Sequence, residues 1–245
     1  MEGRNLIISL EGIDGSGKGT QLTNLFSAIK DHSNGFLGNK YSNIFATREP
    51  TKDTAPGKTT IEGMAKGTLT PEEAKIGFIQ DRLEHTQNYI LPEFAKGSFV
   101  LTDRYDLSTF AYQHTQGVSF DELYDLHKYT HPFGTIIPHL TVVFDLPYKV
   151  AVERVNARDE KKEQFEKEEF QKQLVSSQTQ AINYLQKRQP GREFVIVNAN
   201  QSVANVTEEM IAKISTTYAA KTGEHATTRN FREMYADRKF KQIHF

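Results

Sequence analysis

The chain has 245 residues, with 30 Lys/Arg against 31 Asp/Glu, 37% hydrophobic residues and no cysteine. The absence of cysteine excludes disulfides, thiolate metal sites and cysteine nucleophiles, and a net charge near −1 supplies no global basic field for nucleic acid. No apolar run approaches the roughly 18 residues of a membrane span, and Met1–Asn5 leads straight into a strand-like segment with no signal-peptide pattern, so a soluble cytoplasmic protein of one α/β domain or two small ones is expected.

Leu6–Leu10 is a short, nearly continuous apolar run of the kind that suits a parallel strand covered on both faces. A glycine-rich turn over 12–19 follows, and then Leu22, Leu25, Phe26 and Ile29 fall on one face of an amphipathic helix. Residues 31–43 are polar and read as a loop; 44–47 read as a second strand stopped before Pro50. The segment 51–60, with Pro56, Gly57 and two lysines, reads as a mobile loop. Thr70-Pro-Glu-Glu73 is a helix start with a capping box, and Ile76, Ile79, Leu83 and Ile90 mark one face of the long helix that follows. Strands are predicted at 98–102, 140–144 and 194–197, and helices at 106–116, 119–130, 147–157, roughly 166–188 and 202–219. Strands alternating with helices imply parallel βαβ units in a doubly wound sheet. Residues 221–245 break the pattern, with six Lys/Arg against three Asp/Glu and four interspersed aromatics. Such a tail suits either nucleic acid or docking on its own domain or a partner subunit; docking is the reading adopted here.

Gly12-Ile-Asp-Gly-Ser-Gly17-Lys18 matches G-x-x-x-x-G-K between a strand and a helix. Glycines let consecutive backbone N–H groups turn toward one anion, the helix N-terminus adds partial positive charge, and Lys18 brings a full charge to the β- and γ-phosphates of a nucleotide. Gly12, Asp14, Gly15, Ser16, Gly17, Lys18, Gly19 and Thr20 are the expected nucleotide-binding residues. Gly19 stands where a Ser or Thr would ordinarily ligate Mg²⁺. Either the metal is held largely through water or Thr20, Asp14 or Asp103 contributes more, and Mg²⁺ keeps several waters readily.

Four further segments follow in order: Glu11-Gly-Ile-Asp at the loop, Thr47-Arg-Glu-Pro50, Phe78-Ile-Gln-Asp-Arg82, and Asp103-Arg-Tyr-Asp-Leu-Ser-Thr-Phe-Ala-Tyr-Gln113. Together they resemble the thymidylate kinase family over roughly residues 5–215. The resemblance implies a P-loop NTPase fold, three-layered α/β/α with a five-stranded parallel sheet and a helical lid at about 154–168, the kinase domain occupying 1–220 and the extension 221–245. It implies ATP as donor, dTMP as acceptor, Mg²⁺ as metal, a homodimer, and a place in dTTP synthesis. Arg48 and Arg104 would grip the acceptor phosphate, Phe78 would stack on the base, Arg82 would donate to its O4, and Thr109 would sit near N3. Tyr112 would fill the space of a 2′-hydroxyl, and Asp14 would lie near the sugar and the transferring phosphate. Arginine is the best bidentate phosphate ligand, whereas an aromatic face suits any base, so selectivity must come from hydrogen bonds.

The loop has Gly15 where some relatives place an arginine, so Arg154 and Arg158, on one helix face, are expected to reach the transferring phosphoryl from the lid. A further lid arginine expected near Gln164 is missing. No general base is needed, because the attacking phosphate oxygen is already anionic. Two alternatives remain open from sequence: a kinase of dUMP, a 5-modified dUMP or a broader set, and a nucleotide-binding switch without phosphoryl transfer.

Overall fold

The computed structural model describes residues 6–31, 41, 43–130, 136–157 and 168–222. The tail beyond Thr222, most of the predicted lid with Arg158, and nearly all of the 31–43 loop lie outside them.

Five strands form one all-parallel sheet in the order β2-β3-β1-β4-β5: β1 (Ile7–Glu11), β2 (Ile44–Arg48), β3 (Phe99–Asp103), β4 (Leu140–Asp145) and β5 (Glu193–Asn198). The apolar runs of the sequence are explained by helices on both faces. Ile8, Leu10, Phe99, Leu101, Val142 and Phe144 point into the layer that holds Leu25, Met210, Ile211 and Ile214. Their neighbours Ile7, Val100 and Val143 point the opposite way, toward Tyr105 and Ile90 or toward Leu107, Phe110 and Leu185. Each such buried side chain contributes on the order of 1.5–3 kcal/mol, so the period-two pleat of the central strands supplies apolar side chains to a core on either face of the sheet.

The helices are α1 (Lys18–Lys30), α2 (Ala55–Lys66), α3 (Pro71–His85), α4 (Leu91–Ala95), α5 (Asp106–Thr115), α6 (Phe120–Thr130), α7 (Tyr148–Asn156), α8 (Glu168–Arg188) and α9 (Val203–Thr222). One π-helical turn, Thr86–Ile90, joins α3 to α4. It precedes Pro92, which has no N–H to give the carbonyl four residues back. The Thr70 capping box forms with both of its hydrogen bonds.

The segment 51–60 is a correction. It is not a loop throughout: Thr54 caps α2 by accepting from Gly57 N–H, and Pro56 occupies the first turn. Gly57 has no side chain because the helix start is pressed onto the Thr51 carbonyl and Asp81, where a Cβ would collide. A Pro-Gly pair reads locally as a turn, and only its packing on α3 makes it a helix start. In α3 itself, Ile79 is buried, but so are Lys75, Asp81, Arg82 and His85; the helix turns a polar face inward.

Parallel strands put all their C-terminal ends on one edge. There Arg48 pairs in register with Asp103, Leu10 with Asp103, and Glu11 with Val143. The chain leaves β1 toward β3 and β2 on one side and returns to β4 on the other. This is the switch point at which doubly wound sheets open a crevice.

Candidate active site

The glycine loop lies at that crevice. Gly17, the N-cap of α1, has a left-handed backbone (φ 89°) and no side chain to cap the helix, so the first-turn N–H groups stay open toward an anion. Lys18 is buried and folds back over the loop, donating to the carbonyls of Gly12 (2.9 Å) and Ile13 (3.0 Å). Burial, with Arg104 nearby, lowers its ammonium pKa to about 8. Ser16 Oγ is buried in the loop without a hydrogen-bond partner. Gly15 also has a left-handed backbone (φ 85°), and a Cβ there would strike the Ala151 carbonyl oxygen of α7. An arginine at this position is therefore excluded by backbone packing. Arg154, also on α7, directs Nη1 toward the Gly15 carbonyl (3.5 Å) and Nη2 to the Ala199 carbonyl (3.2 Å), bracing the loop from outside.

Beside the loop is a cavity of about 640 Å³. Asp14, Arg48, Phe78, Arg82, Arg104, Thr109 and Tyr112, all selected from sequence as acceptor-site residues, line it. Arg104 stands at the junction of loop and cavity. Its backbone is left-handed (φ 67°), unlike that of any other non-glycine among the described residues, a conformation that costs on the order of 1 kcal/mol and marks a position over-determined by its surroundings. Its guanidinium forms an ion pair with Asp14, donates to Ser108 Oγ (3.1 Å) and the Gly12 carbonyl (3.3 Å), and lies 5.1 Å from the Tyr112 ring. Tyr112 donates to the second Asp14 oxygen at 2.8 Å. Behind Arg104, the fully buried Glu11 accepts from Tyr105 N–H (2.8 Å) and Ser108 Oγ (2.5 Å). Burial pushes its carboxyl up to about pKa 7 against the opposing effects of Ser108 and Arg104. Arg48 is more exposed and only 3.5 Å from Asp103 Oδ2.

The cavity floor is a buried ionic cluster. Arg82 donates Nε to Glu49 Oε2 (2.7 Å), Nη2 to Thr109 Oγ1 (3.0 Å), and Nη1 to His127 Nε2 (2.7 Å). His85 Nδ1 reaches Glu49 Oε1 (3.1 Å), and its Nε2 meets Thr47 Oγ1 (2.7 Å). Burial opposes ionisation of Glu49, yet Arg82 and His85 outweigh it and hold the carboxyl below the ordinary 4.5. Thr109, predicted near the base, also supports Arg82 as an acceptor.

Sequence reasoning missed Glu49, Ser108, His127 and Gln113. Gln113 is fully buried, lines the cavity, and has neither amide atom hydrogen-bonded. It falls four residues after Thr109 on the same face of α5, a spacing visible in the sequence. A stranded amide of this kind costs about 1–3 kcal/mol, which a ligand would recover.

For a metal, Asp103 offers Oδ1, buried and without a hydrogen-bond partner, while Thr20 is exposed on the first turn of α1. Hard oxygen donors of this kind suit Mg²⁺, which needs few protein ligands when phosphates and water supply the rest. Among the described residues no three His, Asp or Glu side chains converge into a metal cage.

The family model described as thymidylate kinase matches residues 10–210. A protein of Thermococcus onnurineus named probable thymidylate kinase is 33% identical over 218 residues, covering 85% of this chain and 97% of that relative. One of Methanosarcina mazei with the same name is 33% identical over 212 residues, covering 86% and 96%. A thymidylate kinase of Akkermansia muciniphila is 33% identical over 160 residues, covering 65% and 71%. With the glycine loop, the Asp14–Arg104 junction and the arginine-bearing cavity in one continuous crevice, the chain belongs to the thymidylate kinase family.

Proposed function

We propose that this chain transfers the γ-phosphoryl group of ATP to the 5′-phosphate of dTMP, giving ADP and dTDP. The observation that carries the reading is the junction at Arg104: one guanidinium is bonded to the glycine loop through Gly12 and Asp14 while lining the acceptor cavity. Donor and acceptor phosphates are thereby brought to one cationic point.

In the reaction an oxygen of the acceptor phosphate forms a bond to the γ-phosphorus, and the bond to the β,γ-bridging oxygen breaks, leaving ADP. The nucleophile is already anionic, so the protein contributes alignment and charge neutralisation rather than proton abstraction. Lys18 and the α1 N-terminus hold the donor phosphates, and the Ser16 hydroxyl gives them a further donor. Arg104 and Arg48 hold the acceptor phosphate. Arg154 supports the loop, and Arg158 is the lid residue assigned to the transferring group. Mg²⁺, when bound, supplies charge neutralisation across the phosphates; Asp103 and Thr20 are the residues assigned to hold it. Asp14, fixed by Arg104 and Tyr112, faces the sugar, and the Tyr112 ring restricts the space beside it. Phe78 covers the base while Arg82 and the unpaired amide of Gln113 read its edge.

A homodimer in the cytoplasm extends the same reading from the family resemblance, and no described helix is long and apolar enough to cross a membrane. Sedimentation of the purified chain tests the dimer. The catalytic assignment is tested by incubating the protein with ATP, Mg²⁺ and each of dTMP, dUMP, dCMP and dGMP, with products identified by mass. Conversion of dTMP to dTDP in preference to the others is expected; binding of ATP with no diphosphate formed from any acceptor would overturn it.

A further inference from the structure

We propose that His127 is a positioning residue for base recognition: its unprotonated Nε2 fixes the Arg82 guanidinium so that one Nη1–H is left facing the nucleotide base. The proposal rests on the function assigned above.

Hydrogen-bond accounting carries it. His127 Nδ1 is 2.7 Å from the Leu123 carbonyl, which can only accept, so Nδ1 carries the hydrogen. Nε2 is 2.7 Å from Arg82 Nη1, and a guanidinium can only donate, so Nε2 must be bare. The imidazole is therefore neutral, in a single tautomer, and serves as an acceptor. It is buried and stacked on Phe110 at 5.2 Å, which holds the ring plane.

The five N–H bonds of Arg82 can then be assigned. Nε donates to Glu49 Oε2, from which Nη2 is also 2.7 Å, and Nη2 donates to Thr109. One hydrogen of Nη1 goes to His127; the second has no partner among the described residues, and Arg82 lines the cavity. Glu49 and Thr109 hold only the Nε/Nη2 edge of the planar group. His127 alone among these partners holds the Nη1 corner and decides which of its hydrogens is left over.

The chemical consequence is selectivity. A donor-only group with one directed N–H accepts a carbonyl at the base 4-position and meets an amino group there donor to donor, so the arrangement favours a 4-oxo over a 4-amino pyrimidine. The acceptor comes from α6, an element outside the cavity lining. It is fastened to α3 a second time, through the ion pair of buried Lys75 with Glu122.

The experiment compares wild type, His127→Leu and His127→Gln, measuring kcat and KM for dTMP and for dCMP at saturating ATP, and KM for ATP at saturating dTMP. Leucine removes the acceptor, whereas glutamine can place its amide oxygen near the position of Nε2. In H127L, kcat/KM for dTMP should fall roughly 10- to 100-fold, mainly through KM, with KM for ATP unchanged and the preference for dTMP over dCMP narrowed. H127Q should recover most of the loss. If H127L does not fold, His127→Met takes its place. An H127L enzyme with wild-type preference and KM, an H127Q enzyme as impaired as H127L, or a parallel rise in KM for ATP would each overturn the proposal. Wild-type protein inert toward dTMP would instead overturn the assigned function, so the two failures are distinguishable.

Discussion

Binding of ATP should take up a proton at alkaline pH, because the lysine that meets its phosphates is partly uncharged in the free protein. Lys18 is 7% exposed, and its ammonium is satisfied only by two carbonyls of its own loop. Burial, then the repulsion of Arg104, lower its pKa from 10.5 to about 8, against partial compensation from Asp14 and Asp103. Phosphates arriving beside it favour the charged form, so binding pulls a proton onto the amine. For a free-state pKa of about 8, the charged fraction is roughly nine-tenths at pH 7, half at pH 8 and one-tenth at pH 9. Proton uptake per ATP bound should therefore rise from about 0.1 to about 0.5 and then to about 0.9, and affinity should fall about tenfold from pH 7 to pH 9. Above pH 8 the nucleotide's own phosphates are fully ionised, so the uptake there belongs to the protein. Isothermal titration in two buffers of different ionisation enthalpy reads the proton number directly. Buffer-independent heats at pH 9, with an affinity flat from pH 7 to pH 9, would refute the reasoning.

Three other perturbations test separate parts of the structure. Gln113→Leu removes a buried amide that has no partner, so the melting temperature should hold or rise while kcat/KM for dTMP falls by about 10²-fold or more; a falling melting temperature with unchanged turnover would contradict the assignment to the base edge. Glu11 has a folded pKa raised from 4.5 to about 7, so its contribution to stability is present below pH 4.5 and is lost as pH rises through 7. The loss is about 2.5 pKa steps, on the order of 3 kcal/mol. Glu11→Gln does not titrate, so its urea-unfolding free energy should gain on that of wild type by this order between pH 4.5 and 8, and a pH-independent difference would count against it. Gly15→Ala places a side chain at φ 85° against the Ala151 carbonyl, which should cost about 1–2 kcal/mol in backbone strain alone and lower the melting temperature by several degrees. Thermal unfolding with and without ATP should show a smaller nucleotide-induced shift in this variant.

What the sequence by itself determined is whatever short-range physics encodes. Five runs rich in apolar residues became five parallel strands, and the three central ones are nearly continuous because a segment covered on both faces has no polar side to show. Thr70-Pro-Glu-Glu73 formed its capping box from neighbours three residues apart, and the glycine loop declared its anion site through spacing. The acceptor residues were legible only through the combined pattern of Arg48, Phe78, Arg82, Arg104, Thr109 and Tyr112, whose shared cavity no local signal predicts. The tertiary structure decided everything that depends on polar burial. Arg82 is charged and helical, and nothing in its periodicity shows that Glu49, His127 and Thr109, lying 33, 45 and 27 residues away, enclose it. The helix at 55–66 was hidden for a similar reason, since its start is tied to Asp81 of α3, which accepts from Thr51 N–H and Thr54 Oγ1. Gln113 is the plainest case: its place on α5 could be counted from Thr109, but its isolation could not. Hydrophobic burial follows a repeat along one chain segment, whereas burial of a polar group depends on which partners distant segments bring to it.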